Sequence, residues 1–126
     1  MSFSNYLENK VLLHVFGATA YTAPATLYVG LFTSNPGDGN TGTEVSGGSY
    51  ARQTAAFTVA ANLASNTAAV EFPTASASWG TITYAAIFDA ATGGNMLAYG
   101  ALTTAKTIDS GDVFRIPAGS LTVTLT

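Results

Sequence analysis

The residues of this 126-residue chain that could do chemistry are seven acidic side chains and one histidine. Asp89 is the most suggestive of them, because it follows a strand-like run and precedes the glycine pair Gly93–Gly94. General acid–base catalysis would require a second carboxylate or a base held close to it. No other acid lies at a spacing from Asp89 that would form a catalytic pair. An aspartate followed by glycines is instead typical of a tight turn. We therefore interpret Asp89 as a turn residue.

The remaining candidates are equally isolated. Asp109 and Asp112 enclose a Ser-Gly pair, which is also typical of a turn, and Glu71 has no acidic neighbour. His14 lies in a helical pattern and lacks the partners that a base or a metal ligand needs, so we expect a partly exposed helix residue. The sequence thus predicts no catalytic residue and no enzyme activity.

A glycine-rich stretch, GNTGTEVSGG (39–48), raises the possibility of a ligand site. It lacks the lysine and the following helix of a phosphate-binding loop. Asp38, Asn40 and Glu44 carry oxygens that calcium accepts, although their spacing departs from the helix–loop–helix pattern. We predict no cofactor and no metal, with calcium bound at these three residues as the open alternative.

Composition limits the classes of partner. Four Lys plus Arg against seven Asp plus Glu form no basic stripe that could neutralise phosphates, so we expect no nucleic acid. Charged residues make up 9% of the chain, against about 25% in typical proteins, and the resulting neutral surface favours a homo-oligomer. The chain has no cysteine, no apolar run of about 18 residues and no basic leader, so we predict no membrane segment and no signal peptide.

One helix is predicted, over residues 3–16. The helix is expected to begin at Ser2, Ser4 or Asn5 as its cap and to end at Gly17 in a left-handed conformation. Its apolar side chains recur at helical spacing: Phe3, Leu7, Val11, Val15, Leu12 and Phe16.

After Gly17 the apolar period changes to two, which predicts strands separated by Gly-, Pro-, Asp- and Ser-rich turns. We expect a single domain (1–126) that is mainly β: an antiparallel β-sandwich or flattened barrel of six or seven strands over about 25–126, with the N-terminal helix. The predicted strands cover 27–32, 52–59, 67–72, 81–88, 96–102, 113–116 and 121–125. Predicted core residues are Ile82, Tyr84, Ala86 and Phe88 on one face of the central strand, Thr83, Ala85 and Ile87 on the other, and Leu121, Val123 and Leu125.

A long loop, Ser34–Tyr50, holds five glycines, a proline and two acids. Loops of this length are usually functional or mobile, so we predict a partner contact here, together with exposed positions on the N-terminal helix. We also expect that residues 35–46 can be shortened without unfolding the domain. The predicted contact residues are Asn35, Asp38, Asn40, Glu44 and Tyr50.

Several motifs together resemble a family of small tailed-bacteriophage proteins, often labelled hypothetical or tail-fibre-like. They are LYVGL, the Tyr-Ala-Arg step at 50–52, WGT, FDAATGGNMLA and the closing AGSLTVTL. The segment FDAATGGNMLAYGAL is also similar to the domain that attaches tail-collar fibres. The resemblance implies a virion protein made in the host cytoplasm, whose partners are the major capsid protein or other virion proteins.

Capsid cement proteins share this size and this cysteine-free, low-charge, β-rich character. We therefore favour a cement or decoration protein that stabilises the assembled shell by binding it in many copies. The alternative is a tail-fibre or tail-attachment component with a host-recognition, carbohydrate-binding role. In that alternative Trp79 or Tyr50 would contact the glycan, although a lone Trp before a strand is more often a packing residue.

Overall fold

The computed structural model describes residues 1–126 as one helix and ten strands. The helix is α1 (Asn5–Phe16), and the strands are β1 (Ser2–Phe3), β2 (Leu27–Phe32), β3 (Gln53–Ala55), β4 (Phe57–Ala60), β5 (Leu63–Asn66), β6 (Val70–Glu71), β7 (Gly80–Phe88), β8 (Met96–Ile108), β9 (Arg115–Ile116) and β10 (Thr122–Thr124).

All strand pairs are antiparallel, and they form three open sheets. A five-stranded sheet has the order β1-β8-β7-β2-β3, a three-stranded sheet has the order β10-β5-β4, and β6 pairs with β9. The prediction of a mainly β, antiparallel fold with one helix is confirmed, while no sheet closes into a barrel. The strand count exceeds the prediction because β1 and β5 were not predicted and because the predicted strand 52–59 is divided into β3 and β4.

β7 is the middle strand of the five-stranded sheet and is buried on both faces, as predicted. The assignment of Ile82 to the face of Phe88 is wrong. The pairing with β8 shifts register between Ile82 and Tyr84, and a residue that interrupts the ladder reverses the alternation beyond it. Ile82 consequently packs with Ala85 in the largest core cluster, while Phe88 belongs to a second cluster with Phe32.

The largest core cluster holds an aromatic group around Trp79. Its ring meets that of Phe72 edge to face, with 6.4 Å between centroids, and Phe72 meets Phe114 in the same way at 5.7 Å. Trp79 is only 4% exposed. The interpretation of Trp79 as a packing residue is confirmed.

Ser4 is the N-cap of α1, which confirms one of the three predicted caps. Its hydroxyl accepts from the backbone N–H of Leu7 at 3.2 Å and donates to the carbonyl of Met96, which fixes the helix start on β8. The helix ends at Gly17, but the predicted left-handed conformation is wrong there, because Gly17 has φ −104°. Ala18 is the left-handed residue, with φ 55°.

No residue of α1 is buried. Leu7 packs partly against the sheet, but the second half of the helix leaves its apolar side chains in solvent, and Phe16 is 81% exposed. His14 is exposed, and its Nδ1 accepts from the backbone N–H of Tyr21 at 3.0 Å. The structure contains no helix long and apolar enough to span a bilayer.

The C-terminal core assignment is partly wrong. Leu121 is buried and Val123 is half-buried, but Leu125 is 55% exposed. β10 ends at Thr124 and lies at the edge of the three-stranded sheet, so Leu125 extends past the surface that packs on the core. An alternating pattern identifies the inward face of a strand but not the point at which the covering layer stops.

Candidate functional site

The predicted loop at 34–50 is attached to the sheet along much of its length. The backbone N–H of Thr33 donates to the carbonyl of Thr43 at 3.0 Å, and the backbone N–H of Val45 donates to the carbonyl of Leu31 at 2.9 Å. The loop therefore returns beside β2. Pro36 and Val45 are buried. Shortening residues 35–46 would remove both buried side chains, so the burial argues against the predicted tolerance of shortening, which stays a prediction.

The tip of this loop is formed by residues 35–41 and is exposed at Asn35, Asp38 and Asn40. The Asn35 side chain accepts from the backbone N–H of Gly37 at 2.8 Å. The backbone N–H of Thr41 donates to the carbonyl of Pro36 at 2.7 Å. Both bonds close the tip on itself, which favours a fixed shape.

Asp38 joins the loop tip to two other elements. Its backbone carbonyl accepts from the N–H of Asn5 at 2.9 Å, at the first turn of α1. Its carboxylate accepts from the hydroxyl of Tyr99 on β8. This hydrogen bond raises the pKa of Tyr99, because ionising the phenol would place a second negative charge against Asp38.

Glu44, Tyr50 and Arg52 form a hydrogen-bonded group, here called the Arg52 cluster. Arg52 meets the Glu44 carboxylate with both Nε and Nη2, each at 2.8 Å, in the bidentate geometry of a strong ion pair. The hydroxyl of Tyr50 donates to the same carboxylate at 2.6 Å. The Arg52 side chain is 8% exposed and that of Glu44 is 25% exposed, so this pair is largely shielded from water.

Arg52 also holds the hairpin between β7 and β8. Its Nη1 donates to the carbonyls of Ala90 at 2.9 Å and Gly93 at 2.8 Å. The guanidinium lies over the ring of Phe88, 3.5 Å from its centroid, in a cation–π arrangement. One arginine therefore connects the loop, the start of β3 and the central hairpin.

Tyr50 lies beneath this ion pair rather than on the surface. Its ring stacks on Phe72 and meets Trp79 edge to face, and its hydroxyl accepts from the backbone N–H of Leu31 at 2.9 Å. Burial, with the hydrogen bond to Glu44 as the second cause, raises the pKa of Tyr50 far above its usual value. The predicted role of Tyr50 as an exposed interface anchor has no geometric support.

Two glycines of the sequence motifs make room for these contacts. A Cβ on Gly30, in LYVGL, would lie 2.8 Å from Oε2 of Glu44. A Cβ on Gly48 would lie 2.8 Å from Nε1 of Trp79, whose N–H donates to the Gly48 carbonyl at 2.8 Å. Gly48 also has φ 58°, which disfavours other residues.

Asp89 closes the hairpin turn, as the sequence indicates. Its Oδ1 accepts from the backbone N–H of Asn95 at 2.7 Å, and its Oδ2 accepts from the Asn95 side-chain amide at 3.0 Å. Gly93 and Gly94 both have positive φ, as the turn requires. The contacts of Asp89 account for its presence without a chemical role.

The five predicted contact residues therefore divide into two groups. Asn35, Asp38 and Asn40 are exposed at the loop tip, whereas Glu44 and Tyr50 belong to the Arg52 cluster. The calcium alternative lacks a site, because Arg52 occupies both oxygens of Glu44 and no three His, Cys, Asp or Glu side chains group together. Sequence reasoning missed Arg52. The signal available was that the chain has only four cations, so a largely buried acid requires one of them.

The carbohydrate interpretation has no support at Trp79 or Tyr50, because Trp79 is buried in the core and the half-buried Tyr50 packs against it. A surface depression lies elsewhere, beside β8, and has a volume of about 1030 Å³. Its lining includes the half-buried Tyr84 and Tyr99 and extends to Asn35 at the loop tip.

Comparison with known proteins gives one family. A family model described as podophage GP4 fiber I protein gp80 matches residues 2–124. No curated protein matches the chain. The match covers the helix, all ten strands and every motif that forms the Arg52 cluster and the central hairpin. The chain therefore belongs to the podophage GP4 fiber I protein gp80 family, a family of tailed-bacteriophage virion proteins.

Proposed function

We propose that this chain is a structural subunit of a phage fibre. The observation that carries the proposal is the family match over residues 2–124, since the family is described as a fibre protein. Sequence character alone favours capsid decoration, with a fibre as the alternative, and the fibre alternative fits the family description. Decoration and a fibre are both structural roles in the virion, and the family match supports a structural role of this kind.

The geometry supports a binding role rather than a chemical one. Three of the candidate acids make structural contacts: Glu44 is neutralised by Arg52, and Asp89 and Asp112 accept from backbone N–H groups of their own turns. A subunit of an assembly needs a rigid frame and a surface with few charges, and this chain has both.

We place the contact with another virion protein at the loop tip, through Asn35, Asp38 and Asn40. These side chains are exposed, yet the tip is held by Asn5 and Tyr99. A surface ordered before binding loses less conformational entropy when it binds. Replacing Asn40 by Asp adds a charge at the exposed tip and is expected to lower incorporation into particles without lowering the melting temperature. Equal incorporation would place the contact elsewhere.

Locating the protein in the particle tests the fibre proposal. Purified virions are labelled with an antibody fragment against this chain and imaged, and its copy number is measured against the major capsid protein by quantitative gel staining. We expect label on discrete projections and a copy number far below that of the coat. Uniform label over the shell with a copy number near that of the coat would overturn the fibre role and support decoration.

A further inference from the structure

An open apolar groove runs between the start of α1 and the three-stranded sheet. Its volume is about 310 Å³, and every lining residue except Asn62 is hydrophobic. The floor is formed by Ile87 and Leu97 of the central strands, and the walls by Leu7 on one side and Val59, Leu63 and Leu125 on the other. Nothing in the chain covers this groove, and the three residues of the second wall are exposed.

The second half of α1 continues this apolar surface as a ridge. Leu7 lines the groove, and Val11 and Val15 follow it at intervals of four, which places them along the same side of the helix. Leu12 and Phe16 form a parallel row. All four residues after Leu7 are exposed, so the chain presents a convex apolar ridge next to a concave apolar groove.

The size of this surface is that of a functional apolar patch. Weighted by exposed fraction, the seven side chains of the ridge and the groove wall expose on the order of 500 Å² of apolar area. The largest apolar patch of a typical monomer is about 300–600 Å² and is often a binding surface.

We propose that the ridge Val11–Phe16 of one copy binds in the apolar groove of a second copy. A cavity of about 150 Å³ holds one benzene-sized group, so the groove has room for about two side chains such as Phe16 and Leu12, which lie one helical turn apart. The pairing also brings no charged side chain into the contact. The ridge side chains are uncharged, and the groove lining contains no charged residue.

Each copy can give a ridge and receive one. A reciprocal exchange between two copies closes a two-fold pair, whereas a head-to-tail contact closes a ring or extends a filament. The inference goes beyond the proposed function, since it concerns contacts between copies and holds for a fibre or a shell. If the contact between copies were disproved, the proposed fibre role would still be tested separately by locating the chain in the particle.

Self-association of the full chain in solution tests the proposal. Molar mass is measured by sedimentation equilibrium over roughly 1 to 100 µM. We expect the parent chain to associate, and Leu12→Gln/Phe16→Gln on the ridge and Val59→Lys on the groove wall each to weaken association about tenfold or more. Phe16→Ala, which retains helix propensity, is a second ridge variant. Val113→Thr is the matched control, because Val113 is 44% exposed but lies outside the groove.

Mixing the two defective variants tests the direction of the contact. The ridge variant retains a groove and the Val59→Lys variant retains a ridge, so an equimolar mixture should form a one-to-one dimer that does not grow. Circular dichroism melts of each variant confirm that the fold is intact. A monomeric parent chain, unchanged association in either variant, or a mixture that stays monomeric would overturn the proposal. A monomeric parent would instead assign the surface to another protein.

Discussion

Replacing Arg52 by Met should destabilise the protein strongly, although the side chain lies outside the hydrophobic core. Arg52 makes four hydrogen bonds, two to the Glu44 carboxylate and two to the carbonyls of Ala90 and Gly93. Met retains most of the aliphatic length, so the substitution removes mainly charge and hydrogen bonds. Glu44 would be left partly buried with only Tyr50 as a partner.

The expected loss follows from how far water can replace the guanidinium. Breaking a fully buried pair costs about 3–5 kcal/mol. The Glu44 side chain is 25% exposed and can regain part of its hydration, so we expect the low end, about 3 kcal/mol. For a chain of this size that loss lowers the melting temperature by about 10 °C.

Urea unfolding followed by circular dichroism measures this loss, and Arg115→Met is the matched control, because Arg115 is exposed and outside the cluster. Arg52→Lys should fall between the parent and Arg52→Met, since lysine retains the charge but not the planar fork. In a double-mutant cycle with Glu44→Gln, the two losses should be clearly less than additive. If Arg52→Met cost no more than Arg115→Met, the cluster would not stabilise the fold as argued.

Three further predictions concern single side chains. Because the folded state holds the Tyr50 proton to a higher pH than the unfolded chain, its contribution is complete below about pH 10 and is lost above it, by up to about 1.4 kcal/mol per pH unit; Tyr50→Phe should flatten that fall, and an unchanged slope in urea unfolding would contradict it. Phe88→Ala should cost about 3–5 kcal/mol, whereas Leu125→Ala should cost less than about 1 kcal/mol, and comparable losses in thermal melts would refute the burial difference. Asp89→Asn should retain assembly and cost at most about 1 kcal/mol, because an amide oxygen can still accept from the backbone N–H of Asn95; loss of function with the fold and the assembly state intact would indicate a chemical role.

Local patterns predicted the elements that depend on nearby residues. The helix cap at Ser4, the central strand β7 and the turn at Asp89 each arise from contacts or periodicity within a short stretch. The register shift after Ile82 was not predictable in this way, because it arises in the pairing with β8, and the apolar pattern of the β7 sequence continues through it without a break.

Features set by distant residues could not be predicted from the sequence. Val45 lies in a segment whose composition is that of a loop, yet it is buried because the chain returns beside β2. Arg52 joins Glu44 to Gly93 across separations of 8 and 41 residues. Leu125 continues an apolar alternation beyond the point where the core ends. In each case the tertiary neighbours decide the outcome, and a one-dimensional pattern does not contain them.

The motifs that identify the family have internal partners, and this separates the frame from the contact surfaces. Gly30 makes room for Glu44, Arg52 binds the hairpin carbonyls, and Trp79 donates to Gly48. Side chains engaged in this way are not free to bind another protein. Contacts with other chains must then use residues whose side chains the fold leaves exposed, and these include the two proposed surfaces, the loop tip and the apolar ridge of α1. The first is polar and the second apolar, so the two surfaces suit different partners and can be disrupted independently.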